Sequence, residues 1–311
     1  MKDYLAQDWF DAGERIRIDS ADSSPPLWVF RRCEGDIALG KSVTFLPGFP
    51  DGSFGWARVL PHLPDASEMP KLFVEYVGQG DSDKPRRYPY GVQERADLIE
   101  AHWNSLSMRE TDIVSFDFSS LVVLELLSRR LDRMERGVDV GPRIGRVILM
   151  NGGLWADAHS HPWFTTPLLK TGLGLQGAQF AQHSLTVFSM MVRILWSSAY
   201  QVTHKERVEL HSAIARRGGA AFMSLGAGFV EEHKRFAGRL DFGRLYDAFA
   251  GKIQFLVAGS EKDPFEHRQI RKARRKLGKS GLETVMLPGG HLTTSEHPRD
   301  LATTITEFLQ R

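Results

Sequence analysis

The sequence predicts an α/β fold, a mostly parallel eight-stranded sheet with a helical segment inserted after the sixth strand. Three observations carry this. Short β-rich apolar runs alternate with helical patterns along most of the chain, and such alternation builds a parallel sheet covered by helices on both faces. The runs are bounded by Gly, Pro or charge, as buried strands are. Residues 154 to about 245 break the alternation with helical patterns and no convincing strand.

Taken in order, strands are expected at Arg15–Ile18, Leu27–Arg31, Ser42–Leu46, Leu72–Tyr76, Asp112–Ser115, Arg146–Met150, Lys252–Ala258 and Glu283–Leu287. The first of them have no helices between them, so the sheet should open with antiparallel strands. Helices are expected at Gln93–Leu106, Ser119–Met134, Arg268–Leu277 and Arg299–Leu309. Ser119–Leu131 is apolar on almost every side until its last turn, which places it under the sheet's active edge. Within the insertion, helical patterns run over Pro167–Leu173, Gln179–Ser197, Lys205–Arg217 and Ala220–Phe236, broken by glycine pairs such as Gly218-Gly219. The domain reading is a core of residues 1–153 and 246–311 with a cap of 154–245. The basic run His267–Lys279 reads as a solvated helix face.

Composition narrows the function. The 311 residues are 42% hydrophobic and 25% charged, which is ordinary for a globular chain. Forty basic against 38 acidic side chains leave a formal charge of +2, too near balance for a polyanion-binding field, so no nucleic-acid partner is expected. The single cysteine, Cys33, has no partner for a disulfide and no companions for a cysteine-based metal site. Neither metal nor cofactor is expected. The start of the chain lacks the h-region of a secretory signal, and no run approaches the roughly 18 apolar residues of a membrane span. The expected setting is cytoplasmic.

Chemistry concentrates at strand ends. In Thr111–Ser120, TDIVSFDFSS, a strand runs straight into a helix with small Ser115 and Ser119 two residues either side of Asp117. That is the spacing of a nucleophile elbow, whose sharp turn exposes one side chain and tolerates only small neighbours. Helix capping is the alternative role for such an aspartate. After the seventh expected strand, GSEKDP places Asp263 beyond the sheet's C-terminal edge. After the eighth, LPGGHLTTSEHP places His291 on a glycine-rich loop. The order nucleophile, acid, histidine is that of the α/β-hydrolases. An early strand ends in FLPGFPDGSFGW, Phe45 to Trp56.

With these four segments the chain resembles the α/β-hydrolase superfamily, in the branch of epoxide hydrolases and haloalkane dehalogenases that use an aspartate nucleophile. The likeness continues in VGQGDSDKP (Val77–Pro85), YPYGVQERADLIEA (Tyr88–Ala101) and MNGGLW (Met150–Trp155), and is strongest to the mesoderm-specific transcript group. The resemblance implies catalysis by Asp117, His291 and Asp263, with backbone N–H groups of Phe49 and Phe118 as the oxyanion hole. Asp117 would attack a saturated carbon to give an alkyl-enzyme ester, and His291, oriented by Asp263, would activate the water that cleaves it. The family's His-Gly-x-Pro loop reads Pro47-Gly48-Phe49-Pro50 here, so its histidine is lost. Asn151 stands where one dehalogenase subgroup carries its acid, and an amide cannot do that work.

The leaving group separates the substrates. Dehalogenases commonly hold the halide with a Trp beside the nucleophile and an Asn in the loop; Phe118 and Phe49 stand there, and neither can donate. Epoxide hydrolases of the branch present two cap tyrosines, whereas residues 154–245 hold one, Tyr200, as candidate proton donor; Tyr246 lies at the far edge. His159, His161, His183 and His204 are further possible donors, although a cap histidine is more often at the surface. Trp155, Trp163 and Trp196 offer indole N–H groups, with Trp155 a candidate for lining the pocket. Epoxide hydrolysis leads, on a small apolar substrate and water. Dehalogenation, ester or lactone hydrolysis, and a non-catalytic binding role stay open.

Overall fold

The computed structural model describes residues 4–20, 23–37, 40–138, 140–161, 172–223 and 228–311. Eight strands form a single sheet: β1 (Glu14–Ser20), β2 (Ser23–Glu34), β3 (Lys41–Leu46), β4 (Lys71–Val74), β5 (Glu110–Phe116), β6 (Arg143–Met150), β7 (Gln254–Ser260) and β8 (Glu283–Leu287). Their order is β1-β2-β4-β3-β5-β6-β7-β8. β1 and β2 pair antiparallel, as does β2 with β4, and every later pairing is parallel.

Period-two alternation in the strands feeds two cores, one on each face. Ile113 of β5 and Val147 and Leu149 of β6 enter one core; Val114, Phe116, Ile148 and Met150 enter the other. The helices α1 (Ala6–Asp11), α2 (Val92–Ser105) and α3 (Ser119–Glu135) precede the insertion. Ser119 through Ser128 of α3 are all buried, as its apolar circumference requires.

Between β6 and β7 the described chain is helical: α4 (Gly172–His183), α5 (Leu185–Val192), α6 (His204–Ala215), α7 (Gly219–Phe222), α8 (Phe229–Arg235) and α9 (Phe242–Ala248). The helical stretch expected over Gln179–Ser197 is broken at Ser184, which is extended and caps α5 by accepting from the Val187 N–H. The stretch expected over Ala220–Phe236 is likewise two helices, and most of Pro167–Leu173 falls outside the described residues. The fold closes with α10 (His267–Leu277), α11 (Thr293–Glu296) and α12 (Pro298–Leu309). In α10 the basic run turns Ile270, Ala273 and Leu277 inward and leaves most of its cations outside. α2, α3 and α10 cover one face of the sheet, and α12 packs on the other. Among the described residues no helix is long and apolar enough to cross a membrane.

The sequence missed α1. Its Trp9 and Phe10 are buried against Phe73 and Phe30, and the Ala6 N–H donates to Glu209 on α6. Six residues are too short to show a helical period.

Candidate active site

Asp117 follows β5 at a φ of 56°, a left-handed conformation that a non-glycine residue adopts only under surrounding constraint. The constraints are visible. Its N–H donates to the Met150 carbonyl at 2.8 Å, and the Ser120 N–H donates back to its own carbonyl at 3.0 Å. Ser115 Oγ donates to the Ile148 carbonyl, Ser119 Oγ donates to the Pro47 carbonyl, and the Tyr76 hydroxyl meets Ser119 Oγ at 2.9 Å. Gly152 passes so close that a Cβ there would overlap Ser120 Oγ and the Asp117 carbonyl.

Three strand ends converge on this carboxylate. His291, after β8, places Nε2 3.4 Å from Asp117 Oδ1, and its Nδ1 lies 3.0 Å from Asp263 Oδ1 after β7. Asp263 is fixed in turn by the Phe265 N–H at 2.9 Å. The Phe49 N–H, after β3, donates to Asp117 Oδ2 at 3.0 Å. All three ionisable side chains are buried. Burial works against a charge on His291, but the carboxylates of Asp263 and Asp117 outweigh it and hold its pKa well above the ordinary histidine value. Phe118 is the residue immediately before α3 and packs against the rings of Tyr76, Phe49 and Phe229, with Arg95 over its ring at 4.5 Å.

Asn151 is placed as a brace. Its amide donates to Ser260 Oγ and to the His291 carbonyl, both at 2.8 Å, and accepts from the Ser260 N–H. It ties the histidine loop to β7.

Two further candidates have other partners. The Tyr200 hydroxyl donates to Glu206 and accepts from Arg58 at 2.8 Å, and the ring lines a cavity together with Asp51 and Leu292. Trp155 is the second. It packs edge-on against Phe242 with the ammonium groups of Lys272 and Lys276 over its ring, between α9 and α10. Tyr246 lies on α9, as its place at the edge of the insertion suggested, and donates to the Ser280 carbonyl. Trp196 is buried beside the histidine loop, where the adjoining Leu195 carbonyl accepts from the Leu292 N–H. Trp163 lies outside the described residues.

Sequence reasoning also missed charged groups at the site. Asp51, in the loop after β3, is fully buried, and burial with Asp117 nearby pushes its carboxyl up to about 7. Glu75 is buried as well; it accepts from Ser53 and from the Asp81 N–H, yet burial still pushes it up to about 7. His159 and His161 are not surface residues, since their rings meet the buried Glu266. Nothing in local sequence distinguishes these from solvated charges. The His-Ser-His spacing at 159–161 was the one available signal.

Residues 45–304 match the model of the alpha/beta hydrolase family. The chain is similar to the mesoderm-specific transcript protein of Mus musculus, 25% identical over 207 residues, which is 66% of this chain and 60% of that protein's length. It is similar to a haloalkane dehalogenase of Sphingobium indicum, 27% identical over 106 residues, 32% of this chain and 34% of that one. The solved structure of a thermophilic esterase from Thermogutta terrifontis shares the fold, with a TM-score of 0.68 at 18% identity over 96% of this chain and 98% of that one.

Proposed function

The chain belongs to the alpha/beta hydrolase family, and within it we propose a hydrolase that opens a saturated-carbon electrophile by covalent catalysis at Asp117. One observation carries the reading: an elbow carboxylate set between His291 Nε2 at 3.4 Å and the Phe49 N–H at 3.0 Å. A carboxylate needs no proton removed before it attacks. Attack by Oδ1 forms the C–O bond of an alkyl-enzyme ester as the substrate's own C–O or C–X bond breaks, and Oδ2 becomes the ester carbonyl oxygen. Esterification neutralises Asp117 and so removes one of the two negative charges that hold a proton on His291, which then releases that proton to solvent. The imidazole then accepts a proton from water as the water oxygen adds to the ester carbonyl, with Asp263 holding the resulting imidazolium. The oxyanion forms at the carboxylate oxygen, where the Phe49 N–H already donates and where Phe118 would add the second N–H. Collapse releases the alcohol and restores the carboxylate.

Epoxides are the leading substrate class. A departing halide needs donors, and the side chains flanking the elbow, Phe49 and Phe118, have none. In-line displacement drives the leaving atom away from Asp117, so the group that protonates a ring-opened alkoxide belongs to the cap, taken as residues 154–245, and Tyr200 is already committed to Glu206. The likeness to a haloalkane dehalogenase keeps carbon–halogen cleavage as the second reading.

The test is intact-protein mass spectrometry of His291→Gln incubated with a mixed panel of epoxides, haloalkanes and esters. An adduct of epoxide mass on the peptide holding Asp117 is the expected result. An alkyl adduct with halide release transfers the assignment to dehalogenation. An adduct on any other residue, or none with any class, overturns Asp117 as nucleophile.

A further inference from the structure

Behind the candidate triad lies a second group of ionisable side chains that the proposed chemistry does not use. His159 Nδ1 and His161 Nε2 approach one oxygen, Glu266 Oε1, at 2.7 and 2.6 Å. The candidate donor atoms of these three residues lie within 4.8 Å of one another. The side chains are 5%, 11% and 1% exposed in the same order. The other carboxylate oxygen, Glu266 Oε2, is buried and has no hydrogen-bond partner among the described residues. A buried carboxylate oxygen left bare is costly and calls for a cation or a donor.

The backbone builds this convergence. Ser160, between the histidines, gives its N–H and its hydroxyl to the Phe265 carbonyl at 2.9 and 2.6 Å, which locks the 159–161 segment against the residue before Glu266. Both imidazoles are thereby presented to the same carboxylate. A fourth residue sets the tautomer. His233 on α8 is fully buried, with Nε2 3.0 Å from the Leu240 carbonyl and Nδ1 2.8 Å from His159 Nε2. A carbonyl only accepts, so Nε2 of His233 carries the proton and its Nδ1 is bare. His159 Nε2 must then donate to it, and His159 turns Nδ1 toward Glu266. A metal-binding imidazole is held in this way, by an acceptor on the ring nitrogen away from the ion.

We propose that His159, His161 and Glu266 form a binding site for one divalent transition-metal ion of the zinc class, with His233 as the residue that orients His159. Two imidazole nitrogens and the two oxygens of Glu266 make a four-donor set. Zinc and its neighbours accept that mixture, whereas calcium and magnesium take oxygen shells. The ion replaces the protons now shared between the imidazoles and the carboxylate. With its donors taken from buried protein groups, the site is closed and structural. It joins three separate stretches of chain: the segment leaving β6, the loop carrying Asp263, and α8. Phe265 lies between the two centres, its ring 5.2 Å from that of His161 and 5.1 Å from that of His291. Occupancy would therefore fix the aromatic wall against which His291 rests.

The experiment titrates untagged, chelator-stripped full-length protein with Co²⁺ and then Zn²⁺, following visible absorption, bound metal and melting temperature. The expected result is one equivalent of Co²⁺ with the intense visible bands of a four-coordinate ion. Zn²⁺ should displace it and raise the melting temperature. Glu266→Gln should weaken binding by about 100-fold or more, and His233→Gln by about 10-fold with unchanged stoichiometry, the usual effect of losing a group behind a ligand. Folded wild-type protein that binds neither ion stoichiometrically overturns the site, whatever the variants do. So does binding that survives Glu266→Gln and His161→Asn but is lost on replacing the other insertion histidines, His183, His204 and His211.

Discussion

Asp117, Tyr200 and Asp51 show how one side chain acquires its role from what surrounds it. Asp117 is aimed by a turn that its neighbours enforce, and replacing its carboxylate leaves an amide that is a poor nucleophile. Asp117→Asn should lower turnover of whichever substrate labels the protein by a factor on the order of 10⁴ or more, with no adduct in the His291→Gln background. Undiminished hydrolysis without deamidation would exclude covalent catalysis. Tyr200 carries the opposite expectation, because its hydroxyl already serves Glu206 and Arg58. Tyr200→Phe should cost ~1 kcal/mol of stability, measured by urea unfolding, and leave turnover within a few-fold. A loss on the order of 10² or greater would return it to the role of general acid. Asp51 predicts a pH effect. Its carboxyl titrates near 3.8 when free and at about 7 in the fold, so the folded state keeps a proton that the unfolded state has released. Stability is therefore lost as pH rises through that window, and the loss is complete above it. Asp51→Asn removes the titration, so the variant should gain on wild type between those limits, by at most about 1.4 kcal/mol per pH unit. Parallel unfolding curves across pH would show whether that gain exists.

At the scale of elements, the elbow is a contact between β5, α3 and the turn that leaves β6. Gly152 is where that turn touches the nucleophile's own backbone. Gly152→Ala should destabilise by at least the ~1–3 kcal/mol of an overpacked core and should reduce labelling at Asp117 by moving the carboxylate; a variant of wild-type stability and labelling would show that the approach is not tight. The elements differed in how plainly they could be read. β5 to β8 and α3 were legible because strand alternation and a wholly apolar helix are local patterns. The break at Gly218 was legible too, because the glycine pair marks it, whereas the break at Ser184 was not, since helical propensity persists through it and the packing of neighbouring helices decides where the chain turns.

Across the whole molecule, α1 ties the start of the sheet to the helical insertion. Trp9 lies on Phe73, Arg216 from the insertion sits over Phe10 at 4.4 Å, and Ala6 is bonded to Glu209. Trp9→Ala should cost about 3–5 kcal/mol, and hydrogen exchange should rise in α6 as well as in β4. Exchange confined to the N-terminal residues would show that α1 does not couple the two parts. The sequence by itself determined the class of sheet, the order of its strands along the chain, and three strand-end segments with a carboxylate, a second carboxylate and a histidine. Each depends on patterns a few residues long, set by strand pleat, helix period and turn sterics. Only the tertiary structure decided which distant side chains meet: Tyr200 with Arg58, Trp155 with Lys272, and His159 and His161 with Glu266, 107 and 105 residues away. The physical reason is that a charged side chain looks the same in sequence whether water or another charge will neutralise it, and burial alone makes the difference.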